Sequence, residues 1–184
     1  MALLNPKTVP LKDGREVVIR CIREEDAAAL LDHFKLLMLD GEGMIMTAEE
    51  YDVSEDDLKK SIASHNDGPK NLLLVADFNG LFVGSIDFRI AKRQRCEHWG
   101  GFGMGVRQGW RSCGIGDILL SSMLDWAISV PEIEKVTLAV RADNPRAIAL
   151  YKKHGFVLSG CDKEYLKLSD GTFVDDLRME RFVR

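Results

Sequence analysis

Hydrophobic and polar positions in the first third of the chain follow a strand period and then a helical one. Residues 16–23 alternate polar side chains with Val and Ile, which predicts a strand. From position 23 to position 40 apolar side chains recur at helical spacing, which predicts an amphipathic helix ended by Gly41 and Gly43. Ser54 precedes a run of acids and is the expected N-cap of a helix over residues 54–64.

The rest of the chain is expected to be rich in strands, with two further helices. The pair Asn79-Gly80 is a two-residue hairpin signal, and Asp170-Gly171 is a second one. Asn144 is the expected cap of the last helix, since a proline follows it. Strands are predicted over residues 71–77, 81–90, 97–106, 135–140, 156–168 and 173–182, and helices over 116–130 and 144–154.

The predicted order is therefore β-α-α-β-β-β-α-β-α-β-β. We interpret it as a single α/β (α+β) domain over residues 1–184, whose central sheet is mostly antiparallel. One parallel crossover is expected through the helix at 116–130. A length of 184 residues, with 46% hydrophobic and 29% charged residues, fits one globular domain.

The net charge, the apolar runs and the cysteines indicate which partners, metal sites and cellular location to expect. The formal net charge of −4 provides no basic footprint, so no nucleic-acid partner is expected. No apolar run approaches the length of a membrane span, which predicts no membrane partner. The four cysteines are far apart and form no Cys-x-x-Cys pair, so no metal site is expected. Reduced thiols and an N-terminus without a signal-like apolar run favour a cytoplasmic location.

The first chemical motif joins the strand at 97–106 to the helix at 116–130. It reads Arg111-Ser112-Cys113-Gly114-Ile115-Gly116. Glycines allow a sharp turn and a close approach of backbone N–H groups to a ligand, and a helix start adds partial positive charge. Together these features suit a phosphate. Taken alone, the motif fits a tight turn without a ligand equally well. It is neither a P-loop nor a dinucleotide fingerprint, because neither spacing is met.

The second motif covers residues 138–160 and reads LAVRADNPRAIALYKKHGFVLSG. With the first motif it resembles the GNAT acetyltransferase superfamily, whose signatures are Arg/Gln-x-x-Gly-x-Gly/Ala and a strand, an Asn, and a helix ending in Tyr-x-x-x-Gly-Phe. The resemblance extends from about residue 72 to the C-terminus. It implies a GNAT-like sheet with a splayed strand pair, and an N-acetyltransferase that uses acetyl-coenzyme A as co-substrate in a direct transfer.

The resemblance also implies a role for each matching residue. The pantetheine arm would be bound by the backbone of one splayed strand, at Met104, Gly105 and Val106. The pyrophosphate would be held by the first motif and the residue after it, which are Arg111, Ser112, Cys113, Gly114, Ile115, Gly116 and Asp117. From the second motif, Asn144 would reach the cofactor and Tyr151 would stand near its sulfur.

The transfer calls for a general acid and a general base, and the sequence offers one candidate side chain for each. Tyr151 can protonate the departing thiolate as a general acid, although a core aromatic is the alternative. Many relatives carry a Glu or His base on the strand where this chain has Gly100 and Phe102. His98 lies on the same side by alternation and is a candidate base, the alternative being a structural histidine. In the motif, Cys113 is either a small filler or a redox-sensitive thiol.

The acceptor is less well defined by the sequence. Residues 40–57 carry eight acids and no Lys or Arg, which either attract a cationic amine or form a solvated loop. A small-molecule primary amine is the favoured acceptor. A protein N-terminus or lysine, or a coenzyme A-binding module without catalysis, are the alternatives, while an oxidoreductase is disfavoured by the missing third glycine. Relatives often dimerise, so a homodimer stays open.

Overall fold

A computed structural model describes residues 4–41, 43–66, 68 and 70–184. In this part of the chain eight strands form one sheet, and helices pack on both of its faces. The strands are β1 (Lys7–Pro10), β2 (Glu16–Cys21), β3 (Leu72–Phe78), β4 (Leu81–Ile90), β5 (Trp99–Val106), β6 (Lys135–Arg141), β7 (Val157–Lys167) and β8 (Phe173–Phe182), and the helices are α1 (Ala27–Asp40), α2 (Glu55–Asn66), α3 (Ile115–Ser129) and α4 (Pro145–Lys153).

The sheet has the order β1-β2-β3-β4-β5-β6-β8-β7. Its neighbours are antiparallel except β5 and β6, which are parallel and joined through α3. The parallel pairing stops after Gly101 and Thr137, although both strands continue. The expected mixed sheet and splayed strand pair are therefore confirmed, and the splay opens a gap between two strands in the middle of the sheet.

Two apolar cores hold the layers together. One lies between the sheet and α3 and α4, where buried aromatic side chains such as Trp126 and Phe88 meet edge to face at 5.4 Å. The other lies under α1 and α2 and includes Leu30, Ile62 and Val75. Each face of the sheet is thus covered where the strands are paired, and the gap between β5 and β6 lies at the border of both layers.

Local signals in the sequence account for most boundaries. Ser54 Oγ accepts the backbone N–H of Asp57, whose carboxylate accepts from the Ser54 N–H and hydroxyl, so α2 begins with the expected cap. Both residues of the Asn79-Gly80 turn have positive φ (53° and 87°), as a type I′ hairpin requires. Gly41 adopts φ 67° and closes α1 as expected.

The structure differs from the predicted order at the N-terminal side. The strand β1 was not predicted, because it is short and is flanked by Pro6 and ends in Pro10. It pairs only with β2 at the edge of the sheet, where a strand tolerates proline. The first predicted helix also starts later than position 23, since Glu24–Asp26 forms a 3-10 turn before α1. Within the described residues, no helix is long and apolar enough to cross a membrane.

Candidate active site

A cavity of about 660 Å³ lies where β5 and β6 separate. Its walls come from α1, the segment after α1, the splayed strands, the loop before α3, and α4. Of the predicted site residues, the structure brings ten to this cavity. They are Met104, Gly105, Val106, Arg111, Ser112, Gly114, Gly116, Asp117, Asn144 and Tyr151.

Backbone groups of β5 point into the gap at alternate residues. The Trp99 carbonyl accepts from the Ala91 N–H at 3.0 Å, and the Arg107 N–H donates to the Val83 carbonyl at 2.9 Å, so odd-numbered residues face β4. By alternation, Met104 and Val106 direct their N–H and C=O groups away from β4. Beyond Gly101 no β6 residue pairs with them. The gap therefore offers a strand edge to an extended polar chain such as a pantetheine arm.

The glycines of β5 have a separate role on the α1 side of the sheet. Gly105 pairs with Ser85 of β4, so its own backbone groups face β4 and not the gap. A Cβ at position 105 would lie 2.4 Å from Leu37 Cδ1, which means that α1 packs directly on the strand backbone. A Cβ on Gly103 would lie 3.0 Å from Asp87 Oδ1. This strip without side chains leaves Ser85 and Asp87 of β4 facing the cavity.

The loop before α3 has the conformation that a phosphate site needs. Gly114 has φ 106° and is the N-cap of α3, and Ser112 has φ 65°. The first N–H groups of α3 are therefore turned toward the loop, with the positive end of the helix dipole behind them. A Cβ at Gly116 would lie 3.4 Å from Leu150 Cδ2, so the helix start meets α4 closely. The loop therefore presents backbone N–H groups at a helix start, which is the arrangement that an anion site needs.

Two residues of the motif point away from the cavity. The Cys113 side chain is buried, and its thiol donates to the Trp110 carbonyl at 2.7 Å. Ile115 is 1% exposed and belongs to the core under α3. Both were predicted to bind cofactor. Their side chains instead fix the loop, so any contact with a ligand would come from their backbone.

The arginine of the loop, which was expected to hold the pyrophosphate, is hydrogen-bonded to protein groups, and a lysine outside the motif also lines the cavity. Arg111 Nε donates to the Val106 carbonyl at 2.9 Å, and its Nη2 pairs with Asp40 at the end of α1. The guanidinium thus ties the loop to β5 and α1. Lys12, which the sequence analysis missed, also lines the cavity, because its backbone N–H donates to the Cys113 carbonyl at 3.0 Å. The turn between β1 and β2 brings it to Gly114, a contact without a local sequence signal.

Asp117 lies in the first turn of α3 and carries two hydrogen bonds. Lys153 Nζ donates to its Oδ1 at 2.6 Å, and His154 Nε2 lies 2.9 Å from the same oxygen. The hydrogen bond from Lys153, followed by that from His154, lowers the pKa of Asp117. The carboxylate is ionised and links α3 to the end of α4. Its charge is compensated before any phosphate approaches.

Tyr151 is buried in an aromatic cluster and still reaches the cavity. It is 7% exposed, and its ring centroid lies 5.7 Å from that of Phe102 and 6.1 Å from that of Phe156. Burial raises the pKa of Tyr151 to about 12. The hydroxyl is therefore protonated at neutral pH and is available as a proton donor. Tyr151 is therefore both a core aromatic and part of the cavity wall. Its ring packs in the core, and the residue also lines the cavity.

Asn144 and Arg141 connect α4 and β6 to the segment after α1. The Asn144 side chain caps α4 by accepting from the Ala147 N–H at 3.1 Å, which confirms the predicted cap. Arg141 Nη1 donates to the Met44 carbonyl at 3.0 Å, while Nε and Nη2 bind Asp143. Residues 43–46, which we call the cover segment, line one side of the cavity with Met44, Ile45 and Met46.

His98 does not reach the cavity. It is exposed and lies in the turn before β5, where its carbonyl accepts from the N–H groups of Glu134 and Lys135. The cavity lining formed by the described residues does not include it. Alternation would put His98 on the side of Gly100 only within a regular strand, and the strand starts one residue later, at Trp99. The geometry does not support His98 as a base.

The acidic segment at 40–57 does not form the cavity wall as a group. Asp40 pairs with Arg111, Glu50 accepts from the Thr47 N–H at 2.8 Å, and Asp57 caps α2. Glu42 lies outside the described residues. Among the described residues, the carboxylates that line the cavity are Asp87, Asp117 and Asp176. Sequence reasoning missed the first and third, since each is one polar position within a strand and belongs to no motif.

The chain is similar in sequence to known acetyltransferases. The model of the acetyltransferase (GNAT) family matches residues 34–156. An L-amino acid N-acetyltransferase, AaaT, from Escherichia coli K12 is 33% identical over 115 residues, which are 62% of this chain and 70% of that protein.

Two solved structures show the same fold. The acetyltransferase of the GNAT family from Streptococcus pneumoniae superposes with a TM-score of 0.86 at 23% identity, covering 90% of this chain and 99% of its own. A phosphinothricin acetyltransferase from Sinorhizobium meliloti, in complex with acetyl-coenzyme A, superposes with a TM-score of 0.79 at 20% identity. It covers 90% of this chain and 88% of its own.

Proposed function

Because this chain belongs to the acetyltransferase (GNAT) family, we propose that it moves the acetyl group of acetyl-coenzyme A to the primary amine of a small molecule. The transfer is direct and takes place in a ternary complex. The observation that carries the proposal is the continuous path from the loop at Gly114, along the unpaired edge of Met104 and Val106, to Tyr151.

The protein groups along this path suit the parts of the co-substrate. The N–H groups at the start of α3 would bind its pyrophosphate, and Lys12, which also lines the cavity, adds positive charge. Met104 and Val106 would hydrogen-bond the pantetheine arm in the gap. Acetyl-coenzyme A supplies an acetyl group activated as a thioester. Its carbonyl oxygen gains negative charge during attack, and a backbone N–H near Met104 would stabilise that charge.

Tyr151 would complete the transfer as a general acid. The neutral amine attacks the carbonyl carbon, the C–S bond breaks, and the leaving thiolate takes the hydroxyl proton of Tyr151. The tyrosinate then recovers a proton from the acetylated amine or from water. The raised pKa of Tyr151 keeps its hydroxyl protonated in the free protein, so the acid form is present when the thiolate leaves.

The cover segment favours a small acceptor with an apolar part. The cavity is lined on one side by Met44, Ile45 and Met46. The hydrogen bond from Arg141 to the Met44 carbonyl ties this segment to β6. A peptide would need an open groove at this place. The relative named for L-amino acids supports the same class, so we propose an amino acid or a similar amine with an apolar side chain.

The proposal is tested by thiol release from acetyl-coenzyme A in the presence of amine panels. One panel holds the L-amino acids, a second holds polyamines and an aminoglycoside, and a third holds short peptides with free N-termini or lysines. We expect turnover with apolar L-amino acids. Turnover confined to the peptides would favour a protein acetyltransferase. Tight acetyl-coenzyme A binding without thiol release on any panel would favour a binding module. A homodimer stays a prediction.

A further inference from the structure

Asp176 is a buried carboxylate on the acceptor side of the sheet. It lies on β8, is 4% exposed, and lines the cavity. Direct pairing places it opposite Arg141 of β6, so its side chain lies on the sheet face that carries Ala139 and Arg141, away from α3. Among the described residues, Asp176 Oδ1 has no hydrogen-bond partner and no exposure to solvent.

An unpaired buried carboxylate is costly, and the two arginines on its face of the sheet form ion pairs with other acids. Arg178, two positions along β8, pairs with Asp162 of β7 at 2.6 Å. Arg141 pairs with Asp143 at 2.6 Å and donates to the cover segment, which itself has no charged residue. Asp87 of β4, another carboxylate of the cavity lining, lies across the gap with Arg89 at 3.4 Å.

The Asp176 carboxylate is therefore available to a cationic group that enters the cavity. The acceptor arrives as an ammonium ion and must lose a proton before it attacks a thioester. We propose that Asp176 is the general base of the transfer: its carboxylate, which lines the cavity, binds the ammonium of the acceptor and takes one proton from it. This inference rests on the proposed function and completes it, because the strand face at Gly100 and Phe102 offers no base.

The proton balance is simple. The ammonium passes one proton to the Asp176 carboxylate and becomes a neutral amine, whose lone pair attacks the acetyl carbon. Asp176 later releases that proton to solvent, and the net reaction gives the acetylated amine, free thiol and one proton. Burial raises the pKa of Asp176, so this carboxylate holds a proton more readily than an exposed aspartate.

The test uses Asp176→Asn, with Asp175→Asn as the matched control. Asp175 is the adjacent residue of β8, but it faces the other way, pairs with Lys163 at 2.7 Å and is outside the described lining of the cavity. Both variants and the unchanged protein are assayed for thiol release with L-leucine across a pH series. Acetyl-coenzyme A binding is measured by calorimetry, which also reports whether each variant is folded.

We expect Asp176→Asn to lower kcat/KM for L-leucine by about 100-fold or more at pH 7, with acetyl-coenzyme A binding unchanged. The deficit narrows as the pH rises toward the pKa of the free amine, because solvent then deprotonates the acceptor. Asp175→Asn should follow the pH profile of the unchanged protein. A second variant, Asp176→Glu, keeps the carboxylate and should restore part of the activity with an altered profile.

The possible results distinguish a failure of the base assignment from a failure of the proposed function. If the unchanged protein acetylates L-leucine and Asp176→Asn does so equally at pH 7, the assignment of the base is wrong and the proposed function stands. A deficit that is the same at every pH also rejects it, since a purely structural residue would behave in that way. If the unchanged protein releases no thiol with any amine of the three panels, both proposals fail.

Discussion

His33 of α1 and Ser85 of β4 share a buried hydrogen bond, with Nε2 3.1 Å from Oγ. Arg107 Nε donates to the other ring nitrogen, Nδ1, at 3.2 Å. An arginine can only donate, so Nδ1 accepts and the proton of the neutral ring lies on Nε2. Ser85 therefore accepts from His33 and keeps its own hydroxyl proton for the cavity that it lines. The pair positions a donor and is not a nucleophilic dyad.

The same pair predicts how stability depends on pH. Burial, with Arg107 as the second cause, lowers the pKa of His33 to about 3 from the ordinary 6.5. Below pH 6.5 the unfolded chain therefore binds a proton that the folded protein rejects, and stability falls as the pH falls. Between pH 6.5 and pH 5 this residue alone should cost about 2 kcal/mol in the free energy of unfolding.

Urea unfolding of His33→Gln measures that contribution. Glutamine keeps a donor and an acceptor but does not titrate, so the variant should lose stability less steeply between these pH values than the unchanged protein. In NMR spectra the His33 ring resonances should not titrate from pH 8 to pH 5. Equal slopes for both proteins, or a titrating His33 ring, would contradict the buried neutral state.

Gly114 should matter for the co-substrate as well as for the fold. Its φ of 106° is unfavourable for a side chain, so Gly114→Ala should cost about 1 to 2 kcal/mol of stability. Because the turn also aims the first N–H groups of α3, the Kd for acetyl-coenzyme A should rise about tenfold or more. Isothermal calorimetry and thermal unfolding measure the two effects.

Gly171→Ala provides the control for Gly114→Ala. Gly171 has φ 88° in the β7–β8 turn, and a Cβ there would meet no atom within 4 Å. The strain is similar, but the described cavity lining does not include Gly171. Gly171→Ala should lose stability and bind acetyl-coenzyme A normally. Equal weakening of binding in both variants would mean that the effect at Gly114 comes from stability alone.

Tyr151→Phe removes the proposed acid and keeps the aromatic packing. The ring contacts with Phe102 and Phe156 remain, so we expect little change in stability or in the Kd for acetyl-coenzyme A. The kcat should fall about 100-fold, since the thiolate must leave without a proton. Steady-state kinetics with the matched change Tyr165→Phe, at an exposed position of β7, show whether the loss is specific to Tyr151. Unchanged turnover at every pH would exclude Tyr151 as the acid.

Arg141→Ala should affect the acceptor more than the co-substrate. It removes the hydrogen bond to the Met44 carbonyl, so the cover segment loses a tie to β6. We expect the KM for the acceptor amine to rise about tenfold and the Kd for acetyl-coenzyme A to change little. Asp143→Asn weakens the ion pair of Arg141 but leaves its bond to Met44, so its KM should remain near normal. A larger effect in Asp143→Asn would assign the role to the ion pair.

Local patterns in the sequence were sufficient to predict most elements and the loop at 111–116. Turn and cap residues act over a few positions, so Ser54, Asn79-Gly80 and Asn144 marked their boundaries without knowledge of the rest of the chain. The strand β1 escaped prediction because its four residues have no periodic pattern of their own and depend on pairing with β2. The start of β5 was placed slightly early, which gave His98 a role that its exposed position does not support.

The polar residues that complete the cavity depend on contacts between distant parts of the chain. Asp176 faces the acceptor side because β8 inserts between β6 and β7, and Asp87 is accessible because Gly103 has no side chain to cover it. Lys12 reaches Gly114 through the turn between β1 and β2, and Asp40 meets Arg111 across the end of α1. None of these pairs is close in sequence, so no motif contains them.

The sequence by itself thus determined the family, the loop proposed to hold the phosphates, and the tyrosine beside the sulfur in the proposed complex. These features are encoded in short stretches whose backbone geometry follows from glycine, proline and capping side chains. Only the tertiary structure decided which carboxylates enter the cavity and which are paired elsewhere. Strand order, register and the gap after Gly101 set those neighbours, and burial then shifts the pKa values of Tyr151, His33 and Asp176.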